Sequence, residues 1–223
     1  MSEVFGIIGG TGPAGLGLAQ RLCSLGHRVV VGSRDEARAE SVVAELERPG
    51  DSSGTVVGST NETAARGEIV VVATPWDAIA RTVSPLAELL SGKIVISMVN
   101  ALTRQGSEFQ ALTLARGSAA QTVQSILPHS RVVAALQHVP ARELGAWAEP
   151  LDADILICGD DVEARRKVMT IVERIDGARA FDAGSLASAG AIEAMTAVLL
   201  NLNIRYKSHT ALRILGIEGD RPW

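Results

Sequence analysis

The run Gly10-Thr11-Gly12-Pro13-Ala14-Gly15 constrains this chain more than any other stretch. It matches G-x-G-x-x-G, a pattern that chance produces often because glycine is common, and its setting is what makes it informative. The β-branched run Val4–Ile8 leads into it, the helical pattern Ala14–Ser24 leaves it, and Arg28–Val31 follows as a second strand after the turn Gly26-His27. Strand, glycine turn and helix in that order form the opening of a dinucleotide-binding βαβ unit. There Gly12 lets the backbone approach a pyrophosphate and Gly15 lets the helix pack close to the strand. The helix N-terminus adds unpaired N–H groups and a partial positive charge. Pro13 removes one N–H from this cradle, yet it suits the first turn of a helix, where that N–H has no internal partner. The alternative is a glycine-rich turn with no ligand.

The rest of the chain extends the alternation. Helical patterns are predicted over Asp35–Glu47, Asn61–Ala65, Trp76–Leu90 and Ser118–Leu127, and strands over Thr55–Gly58, Ile69–Ala73, Lys93–Ser97 and Arg131–Leu136. The turn residues of Arg48–Gly54 predict a loop. Hydrophobic residues make up 47% of the 223 and aromatics only 3%, so the core is aliphatic. Apolar β-branched strands of this kind suit a parallel sheet covered on both faces. After Pro150 the pattern changes to a strand over Asp154–Cys158, a helix over Asp161–Ile175, a short strand over Ala178–Phe181 and a long apolar helix over Ala187–Arg205. The expected fold is α/β: a Rossmann-like doubly wound parallel sheet over residues 1–149, with a small C-terminal α+β domain over 150–223.

NAD-binding units of this type end their second strand on Asp or Glu, which holds the ribose hydroxyls. This strand instead ends Val31-Gly32-Ser33-Arg34. A hydroxyl and a guanidinium fork suit a 2′-phosphate, and Arg38, four residues along the next helix, faces the same way. The expected cofactor is therefore NADP. Asp35 and Glu36 offer the alternative of ordinary surface ion pairs for these arginines.

Other classes of function find little support. The net charge is −4, from 21 basic and 25 acidic residues, where a nucleic-acid surface usually needs a basic excess. Cys23 and Cys158 are far apart and are expected as buried free thiols. No His, Cys, Asp or Glu cluster has metal-ligand spacing. Met1-Ser2-Glu3 runs directly into a strand with no basic leader, and no apolar run reads as long enough to cross a bilayer. A cytoplasmic protein with neither nucleic-acid nor membrane partner is expected.

Taken in order along the chain, several short runs bear a family likeness. They are Gly9-Gly10-Thr11-Gly12, Gly32-Ser33-Arg34, Pro75-Trp76, Val139-Pro140-Ala141, Cys158-Gly159-Asp160-Asp161 and Asp182-Ala183-Gly184, followed by Leu200-Asn201-Leu202-Asn203, Arg205-Tyr206-Lys207 and Leu215-Gly216-Ile217. Together the chain resembles the NADPH-dependent reductases of the deazaflavin coenzyme F420. The resemblance implies reversible hydride transfer between the reduced deazaflavin and NADP. It places Thr11, Gly12, Pro13 and Ala14 at the pyrophosphate, and Ser33, Arg34 and Arg38 at the 2′-phosphate. Thr74, Ala78, Asn100 and Ala141 would lie along the rest of the nucleotide, with Gln137, Val139 and Leu215 against the deazaflavin. Members of the family often carry a histidine where this chain has Gln137.

Hydride transfer between two rings asks mainly for stacking at the right distance and exclusion of water, so no catalytic group is expected. His138 either holds the ring or is a hydrogen-bonded structural histidine. Pro75-Trp76 follows a buried strand where such folds place ligand-facing loops, and Trp76 either faces the ligand or packs on the sheet. His27 and His129 sit at predicted turns, in solvent. The basic residues Arg205, Lys207 and Arg213 either serve the acidic deazaflavin or form a solvated helix end. Ala187–Arg205 is apolar nearly all round and needs a burying partner, for which a second copy of the chain is expected, giving a homodimer.

Overall fold

The computed structural model describes residues 2–47 and 54–217. The predicted loop at Arg48–Ser53 lies outside them. The strands are β1 (Val4–Ile8), β2 (Arg28–Ser33), β3 (Thr55–Thr60), β4 (Ile69–Val72), β5 (Ile94–Ser97), β6 (Leu102–Gln105), β7 (Glu108–Ala111), β8 (Arg131–Ala134), β9 (Ala153–Gly159) and β10 (Ala178–Asp182). The helices are α1 (Pro13–Ser24), α2 (Glu36–Ala44), α3 (Asn61–Ala65), α4 (Ile79–Val83), α5 (Ala87–Leu90), α6 (Ala119–Ile126), α7 (Ala141–Gly145), α8 (Val162–Glu173) and α9 (Ala189–Tyr206). Short polar side chains start several of them by accepting a first-turn N–H: Asp35 from Arg38, Thr60 from Thr63, Ser118 from Gln121 and Asp161 from Ala164. Such caps are worth about 1 kcal/mol each.

Eight strands form one sheet in the order β3-β2-β1-β4-β5-β8-β9-β10. Pairing is parallel from β3 through β8, turns antiparallel between β8 and β9, and is parallel again between β9 and β10. This is the expected doubly wound α/β sheet, and the strands after Pro150 continue it. Period-two alternation sends Phe5, Ile7, Val71 and Ile96 to one face, against Leu18 and Leu22 of α1 and Val168 and Val172 of α8. Ile8, Val70, Val72 and Val95 face the other side, against Ala64, Ile79, Leu90, Val123 and Ile192. The strand order reverses between β1 and β4, so the loops leaving these strands part and open a crevice above the sheet.

The structure differs from expectation in several places. The predicted helix Trp76–Leu90 is broken into a 3₁₀ turn, α4, a second 3₁₀ turn over Ser84–Leu86, and α5. Pro85 explains the break, because it brings no N–H to a continuing helix and clashes with the carbonyl four residues back. The antiparallel hairpin β6–β7 was not anticipated. It docks on α9, where the Asn201 amide bonds both the N–H and the carbonyl of Phe109. His27 is fully buried, edge-on to Phe5 at 4.9 Å, and not in solvent as its turn suggested. Cys23 and Cys158 are buried free thiols as expected.

Helix α9 buries one face, with Ile192, Glu193, Thr196 and Ala197, and exposes Val198, Ile204 and Tyr206. The Glu193 carboxylate accepts the N–H groups of Ala119 and Ala120 at the start of α6, which pins the buried face. The stretch Leu186–Tyr206 is long and apolar enough to cross a membrane by length and composition, which corrects the expectation that no run is.

Candidate active site

The glycine turn stands at the crevice. The N–H of Gly9 donates to the Asn61 side-chain oxygen at 2.9 Å, and that of Gly10 to the Gly32 carbonyl at 3.0 Å, tying the turn to α3 and to β2. A Cβ on Gly15 would stand 2.5 Å from the Gly10 carbonyl oxygen, so helix and turn meet there at a distance no side chain permits. A Cβ on Gly12 would meet nothing within 4 Å. Gly12 caps α1 without a side-chain bond, and Pro13 occupies the first turn, so the remaining first-turn N–H groups have no partner within the helix. The turn is thus a tight frame around a centre with room for an anion.

One side of the turn opens on a cleft of about 400 Å³ lined by Gly9, Thr11, Gly12, Ser33, Arg34, Arg38, Asn61, Thr74, Pro75 and Ala78. Asp35 spends its carboxylate capping α2, and Glu36 accepts from the Ser59 hydroxyl. Among the described residues no ion pair therefore engages Arg34 or Arg38, and the surface-pair alternative does not hold. The Thr74 hydroxyl is buried without a hydrogen-bond partner, and a buried orphan of this kind points to a missing ligand or water. Trp76 packs against the sheet's helical layer and donates its indole N–H to the Leu102 carbonyl, leaving Pro75 and Ala78 at the cleft.

The other side opens on a cleft of about 210 Å³ lined by Ala14, Met98, Asn100, Gln137, His138, Val139, Ala141, Thr196, Asn203 and Thr210. It is largely apolar, with a few polar groups. Gln137 is 4% exposed, and neither its amide oxygen nor its amide nitrogen has a partner. Both atoms of Asn100 are engaged, Nδ2 on the Gln137 carbonyl at 2.6 Å and Oδ1 by the Thr196 hydroxyl at 3.2 Å, so Asn100 holds the 137 loop. His138 is equally buried, and its Nε2 lies 3.0 Å from the Asp154 carbonyl. Desolvation holds its pKa below the ordinary histidine range, opposed by that carbonyl.

Gly10, Pro13 and Gly15 shape the turn without lining either cleft, and Leu215 is 90% exposed, outside both. Arg205 pairs with Glu108 of β7, and Arg213 pairs with Asp152 and Asp154. Two of the three late basic residues are thereby bound within the chain. Sequence reasoning missed Asn61, Arg81 and Thr82 at the first cleft and Thr196, Asn203 and Thr210 at the second. Asn61 had a signal, as a polar residue opening a helix after a strand that pairs beside β2, and Asn203 stood in one of the family runs. Among the described residues no group of three His, Cys, Asp or Glu side chains could hold a metal ion.

Comparison with known proteins bears on this geometry. The family described as NADP oxidoreductase, coenzyme F420-dependent, matches residues 4–101, which carry the glycine turn and the first cleft. A protein named F420-dependent NADP reductase from Methanocaldococcus jannaschii is 38% identical over 95% of this chain and 98% of its own length. The chain belongs to this family. A second member of that name, from Methanothermobacter thermautotrophicus, is 35% identical over 92% of the chain and 91% of its own length. A crystal structure from Arthrobacter sp. FB24 superposes with a TM-score of 0.83 over 97% of this chain and all of that one, at 22% identity, which speaks for the fold. The absence of a carboxylate at the end of β2, and the presence there of Arg34 and Arg38 without ion pairs among the described residues, agree with the NADP in the family's description.

Proposed function

We propose that the chain is an F420-dependent NADP reductase, which passes a hydride reversibly between reduced coenzyme F420 and NADP. Family membership over nearly the whole chain supports the reaction. The observation that carries it in this molecule is the pair of clefts meeting at one glycine turn. The first presents Ser33 and the guanidiniums of Arg34, Arg38 and Arg81, free of ion pairs among the described residues, and the second is apolar with an unpaired amide. When both coenzymes are bound, the chemistry is theirs: a hydride passes from one ring to the other.

The chain's own residues bind, orient and exclude water. Ser33, Arg34 and Arg38 hold the 2′-phosphate by charge-assisted hydrogen bonds. Thr11, Gly12, Pro13 and Ala14 receive the pyrophosphate at the α1 N-terminus, with Gly10 and Gly15 shaping the turn around them. Thr74, Pro75 and Ala78 would wall the nucleotide, and Asn100 and Ala141 would lie along the rest of it. Gln137 and Val139 meet the deazaflavin. His138 acts by holding the loop, and Leu215 reaches a ring only through movement of its segment or across an interface. Residues 150–223 form a functional unit that completes the second cleft. The exposed apolar face of α9 is covered by a second copy, giving a homodimer. The protein works in the cytoplasm, with small redox coenzymes as its partners.

The test is direct. Protein, NADPH and oxidised F420 are mixed and the visible absorbance of the deazaflavin is followed. Loss at a rate proportional to protein is expected; no loss, with NADPH binding intact, refutes the acceptor.

A further inference from the structure

Two of the second cleft's walls are irregular segments, and a single buried residue touches the supports of both. One wall is the loop after β8. Leu136 there has φ of +67°, in the left-handed region that costs a branched side chain free energy. Such a conformation persists only when its surroundings impose it. Asn100, itself held by the Thr196 hydroxyl, holds the Gln137 carbonyl, and the His138 ring is held at the Asp154 carbonyl. The other wall is the segment after α9, which turns at Lys207 (φ +50°) and brings Thr210 to the cleft. Thr210 is fastened to Asn203 through both its N–H and its hydroxyl. Beyond it, the Leu212 carbonyl accepts the Asp154 N–H at 2.9 Å, and the Asp154 carboxylate accepts the Ile214 N–H and the guanidinium of Arg213. From the sheet side, Arg179 grips the same carboxylate through Nε and Nη2.

We infer that Asp154 is a positioning residue for the acceptor cleft: its backbone steadies the loop of Gln137, and its carboxylate fastens the segment that carries Thr210. This rests on the reading of the second cleft as the deazaflavin site. Asp154 is wholly buried and touches neither cleft itself, so its influence falls on the acceptor and spares the NADP side. A charged strand residue that no cleft requires would otherwise be a costly choice, since an apolar residue of similar size is often no less stable there.

Two variants and two readouts decide it. Asp154→Asn keeps the shape and removes the charge; Arg213→Gln removes the outer partner, which is half exposed and safe for folding. Hydrogen exchange of the peptide spanning residues 208–217, without coenzymes, is expected to quicken about tenfold or more in both variants, as befits loss of a hydrogen bond to a charged group. The KM for reduced F420 is expected to rise about tenfold in both, while kcat and the KM for NADP move less than about threefold. The signs separate positioning from attraction. Asp154→Asn takes one of two carboxylates from Arg213 and leaves it Asp152, so if that guanidinium served by drawing the acidic coenzyme, the KM would hold or fall in this variant and rise in Arg213→Gln. Faster exchange with unmoved KM values, or equal rises for both coenzymes, overturns the inference. Should the wild-type protein not turn over F420 at all, the proposed function fails; unchanged exchange in Asp154→Asn would overturn the fastening itself.

Discussion

Replacing Arg34 with alanine removes one of three guanidiniums, with those of Arg38 and Arg81, that line the first cleft free of any ion pair among the described residues. Asp35 and Glu36 are committed to the α2 cap and to Ser59, so no internal bond is lost and the fold is expected to be indifferent to the change. A hydrogen bond to a charged group contributes about 1.5–3 kcal/mol, hence roughly 10- to 150-fold in affinity. Arg34 is exposed, and Arg38 and Ser33 remain, which places the expected loss of NADPH affinity toward the lower end, about 10- to 30-fold. NADH lacks the phosphate, so its affinity should change less than about twofold. Titration of intrinsic fluorescence with NADPH and NADH, at two salt concentrations, measures both. The wild-type preference for NADPH should weaken with salt more than the variant's does, because screening acts on the guanidinium–phosphate attraction. Equal losses for the two nucleotides would refute the assignment of Arg34 to the 2′-phosphate.

Gly12→Ala should fold normally, since its Cβ meets nothing within 4 Å, with a midpoint in urea close to wild type, yet lose NADPH affinity because the new methyl takes the pyrophosphate's space; a variant that binds as before would show that the turn's centre is not the phosphate site. His138→Ala should raise the KM for F420 and leave kcat within about tenfold with the pH profile preserved, since a ring bonded to the Asp154 carbonyl holds a loop and moves no proton. His27 and His138 are both kept below the ordinary histidine range by burial, His27 also by the Arg174 charge. The unfolded chain takes up these protons near pH 6.5 and the folded one resists, so stability is complete above that pH and falls below it by up to about 1.4 kcal/mol per pH unit for each. Urea midpoints at pH 7.5 and 5.5 should show the fall, and a His27→Gln variant should lessen it; an unchanged pH dependence in that variant would clear His27 of the effect. Sedimentation equilibrium should give a dimer at micromolar concentration, and a Val198→Glu change on the exposed face of α9 should shift it to monomer; a wild-type monomer refutes the pairing.

The sheet was legible because its strands are short, apolar and β-branched, and each is followed by a helix or a break with its own signal. Asp35, Thr60, Ser118 and Asp161 sit where a cap must sit, so local chemistry and tertiary position agree. The hairpin β6–β7 carries no comparable mark. Its strands alternate weakly, most of its residues stay exposed, and it exists because Asn201, far along the chain, supplies bonds to Phe109. The buried state of His27 was hidden for the same reason. A turn position says nothing of Glu3 and Arg174, which close over the ring from distant segments.

The site divides along the same line, and the division has a physical cause. The first cleft is built from residues close to two adjacent strand ends, so Gly12, Ser33, Arg34 and Arg38 could be named from spacing alone. The second is assembled from a loop near residue 137, the far half of α9 and a segment near residue 210, and its polar groups act mostly on one another. Asn100 serves the Gln137 carbonyl, Thr196 serves Asn100, and Asp154 serves Arg213. A residue whose partner is another residue leaves no periodic or positional trace in the sequence. What remains unserved is the Gln137 amide, buried and unbonded at both atoms, together with the neighbouring His138 Nδ1. Leaving a buried donor or acceptor unpaired costs about 1–3 kcal/mol, and the fold bears this only where a ligand or a water takes up the bonds. A Gln137→Leu variant should therefore be as stable as wild type or more so, and should bind the deazaflavin about tenfold or more weakly at unchanged NADPH affinity. Loss of stability instead would mean that the amide is already satisfied within the protein, and that its place in the cleft is incidental.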